Sequence, residues 1–197
     1  MFQPVGDGLR YSACHAKLPD DHTWRGYSRP PVVMPDPLSP WARRLHLNKA
    51  GSLEVPLSTP RRADGFVFYN RTFRSIFLGA NGFLTFDAPS HNWSGGVQAH
   101  VRDRFGISAL ACQLLPHTEP SEVWHDVLDD DGDPRIVFTY VNVPSVGGDG
   151  NTFQVALYLG TGNIRLAWGD IAEESRKSAV VGLSPRSLGG RVKDLTL

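Results

Sequence analysis

From Ser52 onward the chain is cut into short apolar or alternating runs, each closed by a turn signal, and this leaves little room for helical architectures. The runs are SLEVPL (52–57), GFVFYN (65–70), TFRSIFLGA (72–80), FLTFD (83–87), GISALACQLL (106–115), EVWHDVL (122–128), RIVFTYVNV (135–143), TFQVALYLG (152–160), IRLAWGDI (164–171), SAVVGLS (178–184) and a last one near VKDLTL (192–197). Alternation with a period of two puts apolar side chains on one face of a strand. Asn81-Gly82 between two aromatic runs is a hairpin signal, because both residues tolerate positive φ. No amphipathic helix separates the runs, so parallel crossovers are absent and antiparallel pairing follows. The expected fold is all-β, an antiparallel β-sandwich of about ten strands. Phe73, Phe77, Phe83 and Phe86 are core candidates, and residues 88–104 form a polar loop.

Residues 1–50 read differently. Pro19, Pro30, Pro31, Pro35, Pro37 and Pro40 crowd one stretch, and proline removes backbone donors and favours extended chain. The segment is expected to be an extended Pro-rich arm outside a β-sandwich domain of residues 51–197. Trp24, Tyr27, Met34 and Trp41 are its large apolar side chains and its candidate partner contacts. WARRLHL (41–47) reads as one short helical turn. Deleting residues 1–50 is expected to leave a folded sandwich with weakened assembly.

The 20 Lys and Arg balance 20 Asp and Glu, which argues against nucleic acid as a partner. The balance is uneven along the chain. Residues 1–75 hold 11 basic and 6 acidic residues, a net of +5, and the remainder is −5. Such polarity steers association. No run approaches the length of a membrane span, and MFQPVGDGLRYSACHAK lacks the apolar core of a signal peptide.

The stretch FVFYNRTFRSIFLGANGFLTF (66–86), the block RIVFTYVNVPSVGGDGNTFQVALYLGTGNIRLAWGDI (135–171) and the closing VVGLS (180–184) together resemble the NIDO-like extracellular β-sandwich modules of nidogen-related and bacterial surface proteins. The resemblance covers about residues 52–197. It implies a sandwich in a matrix, adhesion or surface protein, and no enzyme. The chain departs from the family pattern at Asn70, where a glycine is usual. It departs again at Ala111-Cys112-Gln113, where many relatives carry acidic residues.

Sites of chemistry are sparse in the sequence. The seven histidines show no metal-ligand spacing and the cysteines no C-x-x-C. His125 reads as a strand-face residue. Asp129, Asp131 and Asp133 are a weak calcium candidate, lacking the register of a calcium loop, and read more simply as a turn. No cofactor is expected. Cys14 and Cys112 either form one disulfide or remain two buried thiols. Asn92 and Asn70 both head N-x-S/T sequons, with Asn92 the better placed and Asn70 at a strand end. Trp93 with His91 is a candidate glycan contact. The expected function is a non-enzymatic structural or adhesive module in an extracellular or surface assembly, bound to protein subunits or to itself. A carbohydrate-binding module and an accessory subunit of an intracellular complex are the alternatives.

Overall fold

The computed structural model describes residues 1–6, 10–13, 34–59, 65–91, 96–129, 132 and 134–186. The elements in chain order are β1 (Phe2–Val5), β2 (Arg10–Ala13), β3 (Arg43–Leu45), β4 (Ser52–Pro56), β5 (Phe66–Phe68), β6 (Arg71–Phe73), β7 (Ser75–Gly79), β8 (Phe83–Thr85), α1 (Gly96–Asp103), β9 (Phe105–Ala111), β10 (Glu122–Leu128), β11 (Arg135–Pro144), β12 (Gly150–Tyr158), β13 (Ile164–Trp168), α2 (Glu173–Ser178) and β14 (Val180–Pro185). They form an antiparallel sandwich. One sheet runs β2-β1-β13-β12-β11-β10-β3, the other β14-β9-β8-β7-β4, and β5-β6 is a separate hairpin.

Alternation decides which side chains enter the core. Along β11, Ile136, Phe138 and Tyr140 point inward, as do Phe153, Val155 and Leu157 on β12. They meet Ile76, Leu78, Leu84 and Ile107 of the facing sheet. Burying such side chains contributes about 1.5–3 kcal/mol each. Two polar atoms cross the core with partners. Tyr140 Oη donates to the Gly79 carbonyl at 2.8 Å, and Trp168 Nε1 donates to the Ala109 carbonyl at 2.8 Å. The β5-β6 hairpin adds Phe66 and Phe68, which stack on Phe86 at 5.9 and 4.5 Å between ring centres.

The hydrogen bonding redraws the boundary at residue 51. Within the supposed arm, β1 pairs with β2 and with β13, and β3 pairs with β10. Residues 43–45 are therefore an edge strand and not a helical turn, because the open side of β10 offers them backbone partners. Other expectations shift on local grounds. Phe83 and Phe86 are buried and Phe73 packs against the core, but Phe77 is half-buried outside it, its neighbours Ile76 and Leu78 taking the inward positions. Asn81-Gly82 does turn the chain, with Gly82 alone at positive φ (74°). There a Cβ would sit 2.3 Å from the Leu110 carbonyl oxygen, so only glycine fits. The run 72–80 is broken, since Tyr69 and Asn70 (φ 45° and 58°) make a two-residue turn between β5 and β6. The loop 88–104 contains α1. The run near 192–197 lies outside the described residues.

Candidate functional site

The outer face of the seven-stranded sheet carries polar and small side chains at the positions that alternate with the core: Trp124 and Asp126 on β10, Arg135, Val137 and Thr139 on β11, Gln154 and Ala156 on β12, Arg165 on β13. A solvated face would be the simple outcome of such a pattern. Instead, residues 34–39 cross it as a strap. The Asp36 N–H donates to Gln154 Oε1 at 3.2 Å, and Gln154 Nε2 donates back to the Asp36 carbonyl at 2.8 Å and to Thr139 Oγ1 at 2.9 Å. One glutamine side chain thus satisfies both backbone groups of the strap residue.

The Asp36 carboxylate, only 4% exposed, lies between two guanidinium groups. Arg135 Nε and Nη2 donate to its Oδ1 at 3.1 and 3.0 Å, and Arg165 Nη2 donates to Oδ2. Both guanidinium groups lie over Tyr158, 5.7 and 5.6 Å from the ring centre. This one carboxylate joins β11 to β13 through residues 99 and 129 positions away. A buried charge without its partners is heavily penalised, so the strap and the sheet face hold each other in place.

Beyond Asp36 the strap reaches β10. The Ser39 N–H and Oγ each donate to the Asp126 carboxylate at 2.8 Å. The Trp41 N–H donates to Ser39 Oγ at 3.1 Å and the Ala42 N–H to the Ser39 carbonyl at 3.1 Å. The result is a tethered turn that presents Trp41 at 86% exposure, with Leu38 also exposed. Burying a Trp removes on the order of 200 Å² from water, which at about 25 cal/mol/Å² is worth about 5 kcal/mol. Arg43 beside it is exposed. Arg44 is held by the Ser121 carbonyl at 3.0 Å and by Glu119 and Glu122 at 3.8 and 3.7 Å.

The remaining candidates distribute as follows. Met34 is buried at 7% exposure, so within this chain it is an internal contact and not a free one. Trp24, Tyr27, Trp93, Asn92, Cys14, Asp131 and Asp133 lie outside the described residues. His91 is exposed, with Nδ1 3.0 Å from the Ala50 carbonyl oxygen. Asn70 is exposed in the β5-β6 turn. Cys112 is a buried free thiol, its Sγ 3.9 Å from Ser175 Oγ, and burial pushes its pKa up to about 11. Among the described residues no group of three or more His, Cys, Asp or Glu is placed to hold a metal ion. No helix among them is long and apolar enough to cross a membrane.

Sequence reasoning missed two arrangements. The Asp36–Arg135–Arg165 cluster has no local signal, since its members are distant and unremarkable singly. The second is His100 Nδ1, 2.8 Å from Ser108 Oγ. Burial, and then the nearby Arg104 charge, lower the His100 pKa to about 4. Ser108 is 0% exposed and His100 4%, so this pair is closed to a substrate and acts as a strut between α1 and β9. His125 lies 5.6 Å from the Phe138 ring, and its Nε2 is buried without a hydrogen bond.

Shallow cavities also occur among the described residues, two of them as follows. One of about 290 Å³ is lined by Pro4, Gly65, Val67, Thr72 and the 159–162 turn. The other, about 260 Å³, lies between residues 44–48 and 116–121. Comparison with known proteins finds no family model, no curated protein and no solved structure that matches the chain.

Proposed function

We propose that this chain is a non-enzymatic structural or adhesive module of a larger extracellular or surface assembly, with Trp41 as its principal partner contact. The observation that carries this reading is the exposure of Trp41 on a turn tied at both backbone and side chain to Asp126. A large aromatic group carried on a tethered backbone loses little backbone freedom on docking, and tryptophan is enriched among residues that dominate binding energy. The ordered motifs that resemble NIDO-like modules favour the same class of function and a surface location. Of the arm residues first considered as partner contacts, the two that are described differ: Met34 is buried within the chain and Trp41 is exposed.

The test compares wild type with Trp41→Ala, each tagged and expressed in the native source. The wild type is expected to co-purify in a multi-protein assembly. Trp41→Ala, with an unchanged thermal melt, is expected to be recovered largely outside it. Equal recovery of both in the assembly would refute the role of Trp41, and recovery of the wild type alone would refute the assembly reading itself.

A further inference from the structure

We propose that Asn70 carries an N-linked glycan. This rests on the reading that the chain works outside the cell or at its surface, and it adds a covalent modification to that module. Asn70-Arg71-Thr72 is an N-x-S/T acceptor sequence without proline at its middle position. All three residues are exposed. Tyr69 and Asn70, at φ 45° and 58°, are the two central residues of the turn between β5 and β6. Such a turn accounts for an asparagine at 70, since Asn accepts positive φ. It makes no demand for a hydroxyl two positions on, which the acceptor sequence does.

The neighbours of Asn70 turn inward and leave it outside. The Tyr69 ring packs on Phe68 and Tyr11, 4.7 and 5.2 Å between ring centres. The Arg71 guanidinium folds over Phe73 and Phe105, 5.0 and 4.9 Å from their centres. A bulky hydrophilic group on Asn70 therefore displaces none of these contacts. Among the described residues β5 and β6 pair only with each other, and Val67 on this hairpin is an exposed hydrophobic residue. A short hairpin of this kind invites further strands, and a glycan at its turn screens it. The glycan also stays clear of Trp41. Tyr11 places the hairpin turn beside β2, whereas Trp41 leads into β3. These strands are the two edges of the seven-stranded sheet, about 29 Å apart at about 4.8 Å per strand spacing.

The reaction joins the Asn70 amide nitrogen to C1 of an oligosaccharide supplied on a lipid diphosphate. The N–C bond forms as the C1–O bond to the diphosphate breaks. The lipid diphosphate leaves, the amide nitrogen gives up one proton, and nothing is oxidised or reduced. The donor and its transferase belong to the secretory route and act on the extended chain, so the folded hairpin has only to accommodate the product.

The experiment is site-resolved mass spectrometry on the full chain isolated from its source. Peptide-N-glycosidase in heavy-oxygen water turns a glycosylated asparagine into an isotopically labelled aspartate. Tryptic cleavage afterwards, at Arg62 and Arg71, isolates Asn70 in peptide 63–71, apart from Asn92. Wild type is expected to carry the label in that peptide. Among tagged variants expressed in the source, Thr72→Ser is expected to keep it at least in part and Thr72→Ala to lose it, although both retain Asn70. An unlabelled wild type, or a label that survives Thr72→Ala, would overturn the proposal. If the unlabelled chain is recovered from the extracellular or surface fraction, the surface reading stands without the glycan. If it is recovered from the cell interior, both fall.

Discussion

Asp36 shows how much one residue can hold. Its carboxylate is the counter-charge of Arg135 and Arg165, and its backbone is satisfied by Gln154. Asp36→Ala would leave two guanidinium groups facing each other on a covered sheet face. Removing one side of a buried pair costs about 3–5 kcal/mol, and a lower midpoint in urea with an unchanged slope is the expected result. A wild-type midpoint would mean that water replaces the carboxylate and the strap is not held by charge. None of this was legible in the sequence, where an aspartate between two prolines reads as turn or extended chain. Trp41 was legible as a large apolar group in a Pro-rich stretch, but its exposure was not, nor was the burial of Met34. Exposure depends on where the tether to Asp126 points the turn. Alternation in EVWHDVL sets Trp124 and Asp126 on the face opposite Val123, His125 and Val127, yet it says nothing about whether another segment covers that face.

Elements defined by alternation were read well. EVWHDVL coincides with β10, and the β11 and β12 runs lie within two residues of the strands at each end. Alternation marks the face each turns to the other sheet, although the opposite face of β11 and β12 is largely buried too. The hairpin β5-β6 was missed because Tyr69-Asn70 contains no glycine, although Asn accepts positive φ. Helix α1 was missed because its only buried member is His100, a polar residue. That histidine makes the element sensitive to pH. Its pKa is lowered to about 4 when folded, mainly by burial and then by Arg104, with a hydrogen bond to the Leu183 backbone acting in the opposite sense. The unfolded chain keeps a value of about 6.5. The unfolded state therefore binds the extra proton first, and stability present above pH 6.5 is lost as pH falls toward 4. Over that window the loss from this group is of order 3 kcal/mol. The Asp103 carboxylate adjoins Arg104 in sequence and acts on its charge, and the His125 pKa is lowered in the same direction by burial and by Arg43, so the wild-type profile sums several groups. Urea melts at pH 7 and pH 4.5 should show a smaller decline for His100→Gln than for wild type. Parallel declines would remove His100 from the account.

At the scale of the whole molecule, the fold class was readable because about ten alternating runs without crossover helices leave few alternatives to stacked antiparallel sheets. Domain organisation was not, because proline content signals extended chain without saying what that chain lies against. The first 45 residues supply β1 and β2 at one edge of the seven-stranded sheet and β3 at the other, and residues 34–39 lie across the face between them. Removing residues 1–50 therefore deletes three of that sheet's seven strands and uncovers Arg135, Arg165 and Asp126 together. The outcome expected from sequence, a folded sandwich that merely assembles poorly, gives way to a severely destabilised one. Loss of the Asp36 clamp alone is worth about 3–5 kcal/mol, against a total stability of about 5–15 kcal/mol for a typical domain. A shorter deletion separates the contributions. Removing residues 1–13 takes β1 and β2 but spares Asp36, Ser39 and β3, and should leave a cooperative though weaker melt. The 1–50 deletion should give no cooperative near-ultraviolet transition at room temperature. A cooperative melt near the wild-type midpoint for the 1–50 deletion would show that residues 51–197 carry the fold unaided, and would return the strap to the status of a detachable arm.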